Sequence, residues 1–291
     1  MSSTRNKNST VNLIFIHGAL QNKGVFEPLI QHIREKAPSW LSESVAIDLP
    51  GHGTACGRRS SYKPEDLADY ILEELPASVL HGPALVIAQS FSGIAATLMP
   101  TRNKNVVGVV MLDTPLTVRS TAVSVGILIR KFHEDREQYE WIPRLLTDFF
   151  HYSPNMPMAE NHDYYSYIVD AAVPIAMITG DVKDFYAQCR KKETVHDGEG
   201  PESAEPIERI IVGTYEEVLN YCRKHGWAIV STRAGACFSE VDLDELRRRN
   251  VNNLKVYFLK ETGHNVLLDR NLDTIAELIG IMATERLAAQ A

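Results

Sequence analysis

Short, almost wholly apolar runs recur along the chain, each followed by a glycine or turn cluster and then by apolar residues at helical spacing. The runs are Val11–Ile16, Ser44–Asp48, Ala84–Ala88, Val106–Leu112 and, near the end, Lys255–Leu259. A strand with one wet face alternates apolar and polar residues, so these unbroken runs predict strands buried on both faces. Between them, Phe26–Lys36 and Pro64–Leu75 carry the helical period, and Gly93–Met99 reads as a helix halted by Pro100. The last helix, Leu272–Leu287, gathers Leu272, Ile275, Leu278, Ile279 and Met282 on one face, which suits packing on a sheet. Strands alternating with helices predict an α/β protein built on a doubly wound, mostly parallel sheet.

From Thr114 to about Gly226 that rhythm lapses. Helical patterns lie at Val123–Phe132, Trp141–Phe150 and Ile207–His225, aromatic residues are frequent (Phe149, Phe150, Tyr152, Tyr164, Tyr165, Tyr167), and Glu193–Pro206 is a loop-like segment. The expected organisation is a core domain made of residues 1–113 and 226–291, interrupted by a helical cap or lid at residues 114–225.

Composition narrows the partners. Of 291 residues, 44% are hydrophobic and 23% charged, the proportions of a globular chain able to bury a core. Thirty Lys and Arg stand against 37 Asp and Glu, for a net charge of -7, and no basic block exceeds Arg247–Arg249, so neither nucleic acid nor an anionic membrane is an expected partner. Cys56, Cys189, Cys222 and Cys237 are scattered without a C-x-x-C pair, which points to a reducing compartment and to neither a disulfide framework nor a thiolate zinc site. The polar stretch Met1–Thr10 lacks the apolar core of a signal peptide, and no apolar run approaches the ~20 residues of a membrane span. A cytoplasmic protein is expected. No metal-ligand cluster, H-E-x-x-H or glycine-rich phosphate motif is visible, so no metal or cofactor is expected.

The candidate chemistry sits at strand ends. Ala88-Gln89-Ser90-Phe91-Ser92-Gly93 closes one buried run and opens a helix, which places Ser90 on a sharp strand-to-helix turn. Such a turn crowds the residues two before and two after the serine; Ala88 and Ser92 are small enough, whereas a nucleophile at Ser92 would put Ile94 in the crowded place. Ser90 could also serve simply as a helix cap. His17-Gly18-Ala19-Leu20 follows the first strand, where a glycine turn can aim a backbone N–H at the same point as the N–H after Ser90; Ala19 and Phe91 would be those donors. Glu261-Thr262-Gly263-His264-Asn265 follows the last strand, from which His264 can reach a serine at the top of the sheet.

With these residues, and with the turn Asp48-Leu49-Pro50-Gly51-His52-Gly53, the chain resembles the α/β-hydrolase fold superfamily over roughly residues 11–113 and 226–291. The resemblance implies Ser90 as nucleophile, His264 as general base, and the Ala19 and Phe91 N–H groups as oxyanion donors. It also implies that the Asp48 turn shapes the wall of the site rather than joining the chemistry. Only about ten residues precede the first run, so the two leading strands usual in the family are expected to be missing.

The acid that should orient His264 stays open between two readings. If Pro174–Gly180 is the penultimate strand, Asp181 or Asp184 is the acid. If instead Trp227–Ser231 is that strand, followed by a helix over Glu240–Arg249, the family's usual acid position falls near Ala236, which cannot serve. Asp113, at the end of the preceding strand, is then the candidate, and it is the one favoured here. The expected activity is a serine hydrolase, carboxylesterase- or thioesterase-like, acting on an ester, thioester or lactone of a small apolar or aromatic acyl substrate. Two alternatives use the same fold: a cofactor-free lyase, C–C bond hydrolase or cyclase, and a ligand-binding protein without turnover.

Overall fold

The computed structural model describes residues 10–18, 21–55, 58, 64–116, 219–224, 226–231, 237–260, 262, 264 and 266–290. Six strands form one sheet: β1 (Val11–Ile16), β2 (Leu41–Ile47), β3 (Ala84–Gln89), β4 (Val106–Leu112), β5 (Trp227–Ser231) and β6 (Lys255–Leu259). Their order is β2-β1-β3-β4-β5-β6, and every neighbouring pair is parallel. All six residues of β1 and of β3 are buried. Since successive side chains point to opposite faces, both faces of the sheet centre are covered, as their apolar runs predict.

The helices are α1 (Glu27–Glu35), α2 (Pro64–Glu74), α3 (Ala77–Leu80), α4 (Ser92–Arg102), α5 (Glu240–Arg248) and α6 (Asp269–Ala288). Helix α1 packs with α6, and α2 with α4, while α4 and α6 both contact β4. The core they enclose includes Leu13, Phe15, Phe26, Leu29, Leu67, Ile71 and Val86, with the Phe15 and Phe26 rings 5.2 Å apart. Strands β2 and β6 lie at the two sheet edges and are only partly covered, short of the burial on both faces that their runs predict; among the described residues no strand lies outside β2.

Several boundaries differ from the sequence reading: β2 begins at Leu41 rather than Ser44, α6 at Asp269 rather than Leu272, and α4 departs the most in physical terms. Helix α4 does not stop before Pro100 but runs through it to Arg102. Pro100 withholds a single N–H, and the ladder resumes at once, the Asn103 N–H donating to Met99 O at 2.9 Å. A proline one turn from the end of a well-packed helix therefore costs one bond rather than the helix. Strand Trp227–Ser231 and helix α5 follow the second of the two readings for that region. Residues 219–224 are helical, at the end of the pattern expected over Ile207–His225. The other cap helices, the Pro174–Gly180 candidate strand, Asp181 and Asp184 lie outside the described residues. Among the described residues, no helix is long and apolar enough to cross a membrane.

Strand β5 pairs with β4 only from Val110 onward, and just before that point the buried Val109 N–H donates to the Tyr221 hydroxyl at 2.6 Å. A side chain from the 219–224 helix thus stands in for a missing strand partner. Tyr221→Phe removes that acceptor and leaves a buried donor, so urea unfolding should show a loss of about 1–3 kcal/mol.

Candidate functional site

Ser90 directly follows β3. Its N–H donates to Leu112 O at 2.8 Å, so the ladder between β3 and β4 holds the chain up to that residue. The backbone then turns sharply: Ser90 has φ 58, in the left-handed region that non-glycine residues rarely occupy. Crowding is severe on both sides of the turn. A Cβ on Gly93 would lie 2.0 Å from Thr114 Oγ1, and one on Gly18 would lie 2.8 Å from Ser90 Cβ. Ser92 is fully buried, its hydroxyl 2.7 Å from Gln89 O and 3.2 Å from Ile16 O, a staple between the ends of β3 and β1. That bonding occupies Ser92, whereas Ser90 is partly exposed.

Asp113 follows β4 and is also left-handed, with φ 45. Its N–H donates to Ile229 O at 2.8 Å, joining it to β5. The fully buried carboxylate accepts the Cys237 N–H at 2.9 Å on Oδ2 and the Phe238 N–H at 3.3 Å on Oδ1. Oδ2 also lies 2.6 Å from Nδ1 of His264. A carboxylate can only accept there, so Nδ1 carries the proton and Nε2 offers its lone pair. Nε2 is 2.9 Å from Ser90 Oγ and accepts its hydroxyl proton. Burial opposes charge on His264, but the neighbouring Cys237 sulfur and the Asp113 carboxylate favour the imidazolium more strongly and raise its pKa, so the neutral ring that serves as a base is reached at a higher pH than in a free histidine.

The turn carrying His264 is pinned from α6. The Asn271 side-chain amide donates to Thr262 Oγ1 at 3.1 Å and to Val266 O at 2.9 Å, on either side of His264. Phe91 is the N-cap residue of α4, and its N–H belongs to the first-turn group that has no intrahelical acceptor. Ala19 lies outside the described residues. The adjacent Gly18 N–H donates to Gln21 Oε1 at 2.8 Å, which fixes the loop beside Ser90.

Asp48 is engaged within its own turn and with the 22–24 turn rather than with His264. Its carboxylate accepts from the Lys23 N–H at 2.8 Å, the Thr54 N–H at 2.9 Å and the Thr54 hydroxyl at 2.8 Å. Behind it, His17 Nδ1 donates to Gly18 O at 2.7 Å while Nε2 accepts the Leu49 N–H at 3.0 Å, so this ring is neutral. His52, its ring 5.1 Å from that of His17, is pushed down to about 3, chiefly by burial.

Sequence reasoning missed two residues. The Cys237 thiol lies 3.8 Å from His264 Nε2, and the Cys237 and Phe238 N–H groups hold Asp113. The available signal was position: Cys237 adjoins Ala236, the place where the family pattern puts an acid.

Comparison with known proteins points the same way. A model described as the alpha/beta hydrolase family matches residues 13–278. A "Pimeloyl-[acyl-carrier protein] methyl ester esterase" of Xylella fastidiosa is 31% identical over 142 residues, covering 46% of this chain and 51% of that protein. A Haemophilus influenzae protein named "Putative 2-succinyl-6-hydroxy-2,4-cyclohexadiene-1-carboxylate synthase" is 30% identical over 83 residues, covering 28% of this chain and 31% of that protein. The chain thus spans about a third to a half of the length of these curated relatives. Haloalkane dehalogenase DbeA from Bradyrhizobium elkani shares the fold, with a TM-score of 0.60 at 15% identity over 96% of this chain and 92% of that one.

Gly18→Ala should push the loop after β1 away from Ser90 and lower any Ser90-dependent turnover by about tenfold or more, while circular dichroism stays that of the parent. The two histidines set an acid limit. Unfolded, His52 binds a proton near 6.5; folded, it resists until about 3. Its contribution is full above pH 6.5 and is lost as pH falls through that window. Urea unfolding of the parent should lose about 1.4 kcal/mol more than His52→Asn between pH 6 and pH 5.

Proposed function

Because the chain belongs to the alpha/beta hydrolase family, we propose that it is a serine hydrolase cleaving an ester, thioester or lactone of a small acyl substrate through an acyl-enzyme. The observation that carries this reading is the unbroken chain of contacts from Asp113 Oδ2 through His264 to Ser90 Oγ, at 2.6 Å and 2.9 Å. Ser90 Oγ attacks the acyl carbon as His264 Nε2 takes its proton. Asp113 keeps the imidazole in the productive tautomer and stabilises the imidazolium. The oxyanion that develops is met by the Phe91 N–H at the start of α4, with Ala19 as its partner donor. His264 then hands its proton to the leaving group, and a water activated by the same ring attacks the acyl-enzyme to release the acid and restore Ser90.

Residues 114–225 are proposed to be the cap that shapes the substrate pocket, and their aromatic side chains favour an apolar or aromatic acyl group. The similarity to the Xylella fastidiosa methyl ester esterase supports ester hydrolysis. The similarity to the Haemophilus influenzae synthase favours a second reading, in which Ser90 and His264 move a proton in a lyase or cyclase reaction without an acyl-enzyme.

A fluorophosphonate probe followed by mass spectrometry should place one adduct on Ser90, absent in Ser90→Ala; folded protein that stays unlabelled rules the hydrolase out. Turnover in water labelled with heavy oxygen should put that label into the acid product, whereas the lyase reading requires a product without it. Asp113→Asn should slow turnover by about 10³- to 10⁴-fold while Asp181→Asn changes it little; the reverse ranking would move the acid to Asp181.

A further inference from the structure

We propose that Cys237 and His264, with Ser90 as a third donor, form a binding site for a thiophilic divalent cation of the Zn²⁺ class, and that loading it silences the Ser90 centre. The silencing rests on His264 being the base in the function proposed above; the binding does not.

The donors are already gathered. Cys237 Sγ is 3.8 Å from His264 Nε2, and Ser90 Oγ is 2.9 Å from the same nitrogen. One donor atom each from Asp113, Cys237 and His264 falls within a mutual 4.8 Å, with all three residues buried. In a tetrahedral zinc site, bonds of about 2.3 Å to sulfur and 2.0 Å to nitrogen set those two atoms roughly 3.5 Å apart. The sulfur therefore has to close by a few tenths of an ångström and the serine oxygen to open by a similar amount.

The outer contacts are those of a metal-binding histidine. Asp113 Oδ2 takes the Nδ1 proton at 2.6 Å, which orients the ring with the Nε2 lone pair outward, as a carboxylate does behind a zinc-bound imidazole. The Cys237 backbone is itself tied to Asp113 at 2.9 Å, so sulfur and nitrogen are held from one anchor. A sulfur, nitrogen and hydroxyl donor set selects Zn²⁺ or Cd²⁺ over Mg²⁺ and Ca²⁺. Binding releases to solvent the Cys237 thiol proton and, where His264 is charged, its Nε2 proton, and changes no oxidation state. Ser90 is partly exposed, so the cation enters where a substrate would. The bound ion occupies the lone pair that would otherwise accept the serine proton.

The test uses the full chain and reads binding and turnover separately. Competition with a metal-indicator dye should show micromolar Zn²⁺ binding by the parent, weakened at least tenfold in Cys237→Ala, with Mg²⁺ and Ca²⁺ unable to compete. Co²⁺ as a spectroscopic stand-in should give a thiolate charge-transfer band in the parent, and that band should vanish in Cys237→Ala. Hydrolysis of an activated aryl ester, normalised to each variant's own metal-free rate, should be inhibited by Zn²⁺ with the same Cys237 dependence and restored by a chelator. Equal zinc affinity in the parent and Cys237→Ala, or a parent without the Co²⁺ band, overturns the site whether or not that variant folds fully. Binding intact in a chain that never turns over an ester would retain the site and reject the hydrolase.

Discussion

The buried Asp113 carboxylate joins three strand ends into one working surface. It sits after β4, accepts backbone N–H groups from the loop after β5, and receives the His264 imidazole from the turn after β6. A carboxylate removed from water is costly unless its oxygens are bonded. Here the bonding that satisfies it is also what fixes His264. Ring orientation and tautomer follow from that set of contacts, while the Asn271 bonds from α6 hold the turn that carries the ring.

The sheet also absorbs the strain. Ser90 and Asp113 are both left-handed, a conformation that costs of order 1–3 kcal/mol in a non-glycine residue. Each is the residue just past a strand and donates its N–H to the neighbouring strand, to Leu112 O and Ile229 O respectively. The ladder thus runs one residue beyond the regular strand and turns both side chains toward the carboxyl edge, where parallel sheets gather their ligands. Glycine is needed at 18 and 93 because neighbouring side chains, Ser90 and Thr114 respectively, leave no room for a Cβ there.

What the sequence made legible tracks how local each determinant is. The central strands stood out because burial on both faces leaves unbroken apolar runs, and Ser90 and His264 stood out because each sits in a short motif just past such a run. The candidate acid was legible only as a choice among Asp113, Asp181 and Asp184, because the Asp113–His264 contact joins residues 151 positions apart. The sulfur beside His264 left still less trace: Cys237 is 27 residues from that histidine, at no spacing that marks a ligand pair. Pro100 misled for the opposite reason, since a strong local signal for helix termination yielded to packing around α4. The cap division at residues 114–225 remains a sequence reading.

Among the described residues, the loop after β5 meets the Asp113 carboxylate through main-chain amides alone. Cys237 and Phe238 contribute N–H groups, which every residue except proline carries. With His264 held by the Asp113 carboxylate, the side chains at these two positions are not needed for that contact. Evolution can rewrite this rim of the pocket, and with it the neighbourhood of Ser90, while the hydrogen bonds to Asp113 stay in place.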